Sequence, residues 1–382
     1  MVNAQLIEPV HMIVLTGGPC SGKSSSLAFL TEKLSDHGYL VFVIPETATL
    51  IATNGIDRRR MDRASQVVMY EEAILDMQLA FEETYARAIS RIFPERKKVI
   101  LLDRGVMDIK AFVSKDDFKL MLKRKGLKEI ALRDRYHGVI HLVTAAEGAE
   151  AYYGSANNGA RIETPEEAVR IDRAIRESWL GHPRFKVIDN RGDFEEKIGR
   201  AFGAISQFLG IPASSALKER FVAGEVSYDL MPTHQVVEIE QIYLRSRQRD
   251  EEISIRKRGQ DDSFLYFLRR TRKGPPAVTE EELIDEQQFE NLSKLIDPRT
   301  EVLRKKRICF LWKNRLFELD RYGGVREGLT ILGVEPSDDG EAGLGIPPFV
   351  RVERNVTGNA RYLEKSLAAR RRSASTPESG PP

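Results

Sequence analysis

Along the first 210 residues, short apolar runs alternate with stretches in which apolar positions recur every three or four residues. The runs at 12–15, 40–44, 99–102, 139–143 and 185–188 read as buried strands, and the stretches at 23–37, 64–92, 165–179 and 194–209 as helices. That alternation predicts an α/β domain, a parallel sheet with helices on both faces. Near Ile211 the texture changes, and from Val236 the period falls to two. Segments at 236–244, 253–258, 264–273, 302–312, 316–321, 329–335 and 350–356 read as strands between Gly, Pro or Asp turns, with one helix at 286–295. The expected organisation is a first domain at 1–212, a linker at 213–235, a second domain at 236–368 and a polar, disordered tail at 369–382.

The junction of the first strand and first helix reads Gly17-Gly18-Pro19-Cys20-Ser21-Gly22-Lys23-Ser24, followed by Ser25. The G-x4-G-K-[ST] spacing between a strand and a helix is that of a phosphate-binding loop. Its glycines let successive N–H groups point at phosphate oxygens, and the helix start adds positive dipole. Lys23 supplies a charge for the β- and γ-phosphates, and Ser24 a hydroxyl for Mg²⁺. Asp103, at the tip of the 99–102 strand, is placed either to complete the Mg²⁺ shell or to cap the helix that follows. Arg104 is within reach of a phosphate. Glu46 ends the second strand as either a general base or metal ligand, or a plain surface acid. A Gly/Asn-rich stretch at 152–161 ends in Arg161, a candidate lid arginine. Thr164 and Glu167 form a capping box for the next helix. Arg170 and Arg173 on that helix read as solvated, and Asn190 after the last strand is placed for base contacts.

In the second half, charged pairs alternate with apolar residues: Glu238/Glu240, Arg256/Arg258, Lys305/Arg307 and Glu318/Asp320. Such a pattern is either a solvated face or, in a closed sheet, a lumen whose basic pairs grip a polyphosphate and whose acids hold Mg²⁺ or Mn²⁺. The chain of 382 residues is 30% charged and 41% hydrophobic with a net charge of +2, an ordinary soluble composition. Its two cysteines exclude a disulfide scaffold and fit a reducing cytoplasm. No run approaches membrane-span length and no signal peptide is evident, which leaves peripheral lipid contact as the membrane option. Acids interleaved with bases argue against nucleic-acid binding.

GGPCSGKS, PETA, LLDRGVMD and ETPEEAVRIDRAIRESWLGHPRFKVIDN resemble the NadR/Ttd-like AAA domain, a P-loop family with the core of small-molecule kinases. The resemblance implies an ATP or GTP site at Gly17–Ser24 with Asp103 near the metal. VEIEQIYL, Thr271-x-Lys273, the KKR at 305–307 and the stretch from Glu318 to Tyr362 resemble the CYTH superfamily of triphosphate tunnel enzymes. That likeness implies a closed antiparallel barrel, with Glu238, Glu240, Glu318, Asp320 and Glu335 as metal ligands and Arg256, Arg258, Lys273, Lys305 and Arg307 as phosphate ligands. Ile242 stands where the family carries a lysine, and Gly333 where it carries an acid. Three functions remain open: nucleotide-dependent hydrolysis or phosphoryl transfer, tunnel triphosphatase activity, and a nucleotide-gated module for a phosphorylated head group or anionic lipid.

Overall fold

A computed structural model describes residues 8–153, 163–211, 218–246, 248, 250–272, 274, 278–334 and 345–370. The chain divides into two compact units. The first is Met1–Ala216 with Pro232–Gln235 and Phe310–Leu316; the second is Leu217–Met231, Val236–Cys309 and Phe317–Pro382.

The first unit runs β1 (Val10–Thr16), α1 (Lys23–Asp36), β2 (Leu40–Ile44), α2 (Thr47–Thr53), α3 (Ala64–Ile92), β3 (Lys98–Asp103), α4 (Lys115–Lys125), α5 (Glu129–Asp134), β4 (Gly138–Leu142), α6 (Pro165–Ser178), β5 (Phe185–Ile188) and α7 (Phe194–Phe208). The five strands are parallel in the order β2-β3-β1-β4-β5. β1 is apolar without alternation because both of its faces are covered. Val14 packs with Ile100, Leu102, Ile175 and Trp179 on one side, and Ile13 and Leu15 pack with Leu30, Leu34, Ala201 and Ile205 on the other. α6 starts with the expected capping box: Thr164 Oγ1 accepts from Glu167 N–H, and Glu167 returns a carboxylate to Thr164 N–H, with Pro165 as the first helical residue. Arg170 and Arg173 are exposed on it.

The second unit contains β6 (Glu219–Val226), β7 (His234–Leu244), β8 (Glu251–Gln260), β9 (Ser263–Arg272), β10 (Val278–Ile284), α8 (Glu286–Ser293), β11 (Leu303–Trp312), β12 (Arg315–Gly323), β13 (Thr330–Val334), β14 (Val350–Asn355) and α9 (Glu364–Ala368). They form a nine-stranded sheet in the order β10-β9-β8-β7-β11-β12-β13-β6-β14, with antiparallel neighbours wherever a register is resolved. The nine-stranded antiparallel sheet is the second layer expected after the α/β domain. One expectation needs correction: the segment assigned as linker supplies β6, a strand held between β13 and β14, because Phe221, Val222 and Ala223 are buried there.

His182, 1% exposed, follows α6 and accepts the Arg184 N–H on Nδ1 while its Nε2–H donates to the Tyr136 carbonyl. Burial, helped by Arg133, pushes its pKa down to about 3. The unfolded chain therefore binds this proton more readily than the native state below the ordinary value of about 6.5, so stability rises with pH between those limits and is lost on acidification. On going from pH 7 to pH 5 the His182 contribution costs about 2 kcal/mol. Urea unfolding of wild type and His182→Gln at both pH values is expected to show the variant's deficit shrinking at pH 5; a deficit that does not change with pH refutes the neutral buried imidazole.

Candidate functional site

The loop between β1 and α1 lies at the carboxyl end of the parallel sheet, where such folds hold their ligands. Gly22 caps α1 at φ 89°, and a Cβ on it would lie 2.6 Å from the Phe194 ring, so both backbone and space demand glycine. Cys20 adopts φ 57°, which turns the peptides inside the loop. Lys23 Nζ donates to Gly17 O (3.0 Å), Gly18 O (3.1 Å) and Ser21 Oγ (3.2 Å). Burial first, and Arg104 second, bring its pKa down to about 8.

Two charged side chains, unmarked by sequence reading, hold this loop from outside. Asp172 on α6 is fully buried, and its Oδ1 accepts from Gly18 N (2.7 Å), Thr144 N (3.1 Å) and His141 Nε2 (3.1 Å). Burial opposes its charge, but His141, Arg176 and the Gly18 N–H outweigh that and hold its pKa down to about 2. On the other flank Lys197 of α7 donates to Ser21 O (3.0 Å), Val143 O (2.7 Å) and Asn190 Oδ1 (2.6 Å). The Asn190 amide also donates to Thr144 O and Glu147 O, both at 2.7 Å. Its polar atoms thus go to bracing the chain around the loop, in place of the base contact expected of it.

Asp103 pairs in register with Leu15, which sets its carboxylate beside the start of the loop. Burial raises its pKa, and Oδ1 is buried with no hydrogen-bond partner among the described residues. Ser24 is exposed in the first turn of α1. An orphaned carboxylate oxygen at the tip of β3 and a hydroxyl in the first turn of α1 suit Mg²⁺, and no group of three His, Cys, Asp or Glu gathers to bind a metal among the described residues, so phosphate oxygens would complete the shell.

Arg104 follows at φ 73°, its N–H donating to Leu15 O at 3.0 Å. Its side chain pairs with Glu46 and, at 3.2 Å, with Asp108. Asp108 is fixed in turn by Thr16 Oγ1 (2.6 Å) and Trp179 Nε1 (2.7 Å). Burial works against Arg104's charge, yet Glu46 and Asp108 lift its pKa above the usual guanidinium value. Glu46 is shifted below its ordinary value, because Arg104 and the Thr49 hydroxyl overcome burial. Beyond this network opens a cavity of about 130 Å³, walled by Glu46, Arg58, Tyr70, Glu71, Gln78 and Phe112 among others. Glu71 is 3% exposed, its pKa pushed up to about 7 by burial despite Arg58 at 3.3 Å. Sequence periodicity hid Glu71 and Gln78 inside a long helix; Asp108 stood in LLDRGVMD without a distinguishing signal. Arg161 lies outside the described residues.

In the second unit the basic and acidic pairs of β11 and β12 meet. Lys305 bonds Asp320 (2.8 Å) and Glu364 (2.5 Å), and Arg307 bonds Asp320 (2.7 and 2.9 Å) and Glu318 (3.0 Å). Lys218 pairs with Glu318, and Arg256 approaches Glu364 at 3.5 Å. Arg258 shares the Arg256 face of β8 and is buried. Glu238 and Glu240 do not join them. Ile242 is buried with Ile255, Leu268 and Phe289, which fixes the parity of β7, and the two glutamates on its face turn to Lys306 (3.1 Å) and Arg304 (2.9 Å). Gln241, opposite Arg256, faces the charged cluster instead. The metal assignment of Glu238 and Glu240 is therefore corrected. Gly333 lies opposite Glu318 on β12. Lys273 and Glu335 lie outside the described residues.

A family model described as an AAA domain matches residues 12–197. That match lies within the first unit, from β1 to the start of α7. Two solved structures, titled the inorganic triphosphatase NE1496 and the hypothetical protein NE1496, are similar at 26% and 27% identity. Each alignment covers 40% of this chain, and 97% and 96% of theirs, with a TM-score of 0.33 in both cases, too low to bear on fold or activity. No curated protein matches the chain.

Asp172→Ala leaves the Gly18 and Thr144 N–H groups without their carboxylate, a loss of about 1–3 kcal/mol at a buried site. Fluorescent-nucleotide titration is expected to show affinity falling about tenfold in this variant and recovering in part in Asp172→Asn, which keeps an acceptor oxygen. Equal affinity in all three proteins would remove Asp172 from loop positioning.

Proposed function

We propose that the first unit transfers the γ-phosphoryl group of a Mg²⁺-bound nucleoside triphosphate, ATP or GTP, to a small hydroxylated acceptor. The observation that carries this reading is the cavity of about 130 Å³ beside the loop, with Glu46 and Arg104 on its wall. A single water needs only roughly 10–15 Å³ of such space, so the cavity has room for an organic acceptor. Its wall is largely apolar, with Ile74, Val106, Ile109 and Phe112, and Glu71, Gln78 and Tyr70 are the few polar groups that would orient an acceptor's hydroxyls.

In this reading the loop amides and Lys23 cradle the β- and γ-phosphates. Ser24 and Asp103 would hold Mg²⁺, which would supply neutralisation of the phosphates' negative charge. Glu46 accepts the acceptor's hydroxyl proton; Arg104 keeps it ionised and oriented, at the expense of its strength as a base. Arg104, fixed between Glu46 and Asp108, faces the transferred group as a permanent cation.

Nucleoside diphosphate release, measured alone and with a panel of small polyols, nucleosides and hydroxy acids, tests the proposal. At least one acceptor is expected to stimulate turnover about tenfold or more, with a phosphorylated product, and Lys23→Ala to abolish it. Glu46→Gln is expected to lower kcat about 10²-fold or more with nucleotide affinity retained. Turnover that no acceptor changes, with all phosphate appearing as inorganic phosphate, would replace transfer by hydrolysis.

A further inference from the structure

β11 and β12 are joined by a two-residue turn, Lys313-Asn314, in which both residues adopt left-handed backbone, φ 47° and 59°. Two such residues in succession make the tight turn that suits the twist of paired strands. Glycine fills such positions at least cost, and asparagine tolerates them better than most residues. The tip of this hairpin, Phe310–Leu316, belongs to the first unit. Leu311 and Leu316 pack there against the cluster that contains Val14, Ile175 and Trp179.

Asn314 meets the network that holds the nucleotide loop. Its Oδ1 accepts from Nη1 of Arg176 on α6, 138 residues earlier in the chain, and its Nδ2 donates to Glu147 Oε1 at 3.0 Å. Arg176 Nη2 donates to the other Glu147 oxygen at 2.8 Å. The three side chains close a ring, and Arg176 is buried within it. From the same guanidinium, Nε lies 3.1 Å from Asp172 Oδ2, and Asp172 Oδ1 accepts the Gly18 N–H. Glu147 reaches the other flank of the loop as well, because its carbonyl accepts from Asn190, whose Oδ1 accepts from Lys197. A carboxamide offers an acceptor to the guanidinium and a donor to the carboxylate at once, which neither an aspartate nor a lysine does.

We propose that Asn314 is a positioning residue for the nucleotide loop, so that the hairpin tip completes the nucleotide site from far along the chain. The inference rests on the reading of Gly17–Ser24 as that loop. Asn314 and Glu147 hold Arg176 in place, Arg176 holds the Asp172 carboxylate with Oδ1 toward the loop, and Asp172 fixes the Gly18 amide. An arginine side chain has several rotatable bonds, and a guanidinium with fewer fixed partners samples more directions. The loop is then ordered by the nucleotide itself, at a cost in affinity.

Fluorescent-nucleotide titration and thermal melting of the full chain test this. Asn314→Gly removes the amide while glycine suits the left-handed turn, and nucleotide affinity is expected to fall about fivefold. Leu311→Ala removes packing from the same tip and no hydrogen bond of the network. Its melting temperature is expected to drop while affinity stays within about twofold of wild type. In an Asp172→Ala background, adding Asn314→Gly is expected to cost less than about twofold, because the path to Gly18 is already cut. Unchanged affinity in folded Asn314→Gly overturns the proposal. So does an equal loss in both backgrounds, or a loss in Leu311→Ala as large as that in Asn314→Gly. Wild-type affinity in Lys23→Ala refutes the loop reading itself, a failure distinct from these three, in which Lys23→Ala stays impaired. None of the readouts depends on phosphoryl transfer.

Discussion

The short bond from the Gly18 N–H to the Asp172 carboxylate ties the nucleotide loop to a helix 154 residues further along the chain, and the first unit is organised around it. A loop of glycines and small residues has little stiffness of its own, so its ring of amides converges only if neighbours fix its two flanks. Asp172 takes hold of one flank by accepting N–H groups, and Lys197 of the other by donating to Ser21 O and Val143 O. The two charges are of opposite sign and act on opposite kinds of backbone group. The Gly18 N–H and the Ser21 carbonyl are thereby satisfied by protein. β-strand packing on both faces of the sheet keeps α6 and α7 where these side chains can reach.

A different balance governs the second unit. There the charges lie in the interior face of a sheet, and their cost is met by mutual pairing. No carboxylate among Glu318, Asp320 and Glu364 is without a cation. What selects this arrangement is strand parity. Ile242 must be buried beneath α8 with Phe289, and that single apolar demand sends Glu238 and Glu240 to the opposite side from Gln241 and Tyr243.

The sequence made the first site legible where its signal was local. The G-x4-G-K-S spacing, the strand ending in Asp103 and the capping box at Thr164 all lie within a few residues of the structure they specify. Asp172 and Lys197 carried no such signal, since each meets the loop across more than 150 residues and looks like one more charge on an amphipathic helix. In the second unit, period-two alternation revealed strands but not which alternate face turns inward, because β7 has acids on one face and a buried Gln-x-Tyr on the other. β6 was hidden in a stretch that Gly224 and Pro232 gave the look of a linker, whereas Lys218 pairs with Glu318, the Arg220 N–H donates to Thr357 Oγ1 and its guanidinium donates to the Tyr362 carbonyl.

Lys23 lies curled against Gly17 O, Gly18 O and Ser21 Oγ, with its ammonium already satisfied by the protein's own oxygens. Any incoming anion must outcompete those acceptors before it gains the lysine. Under the proposed function, a polyanion that meets the loop amides and the ammonium together has more to exchange for those three bonds than a single small anion has.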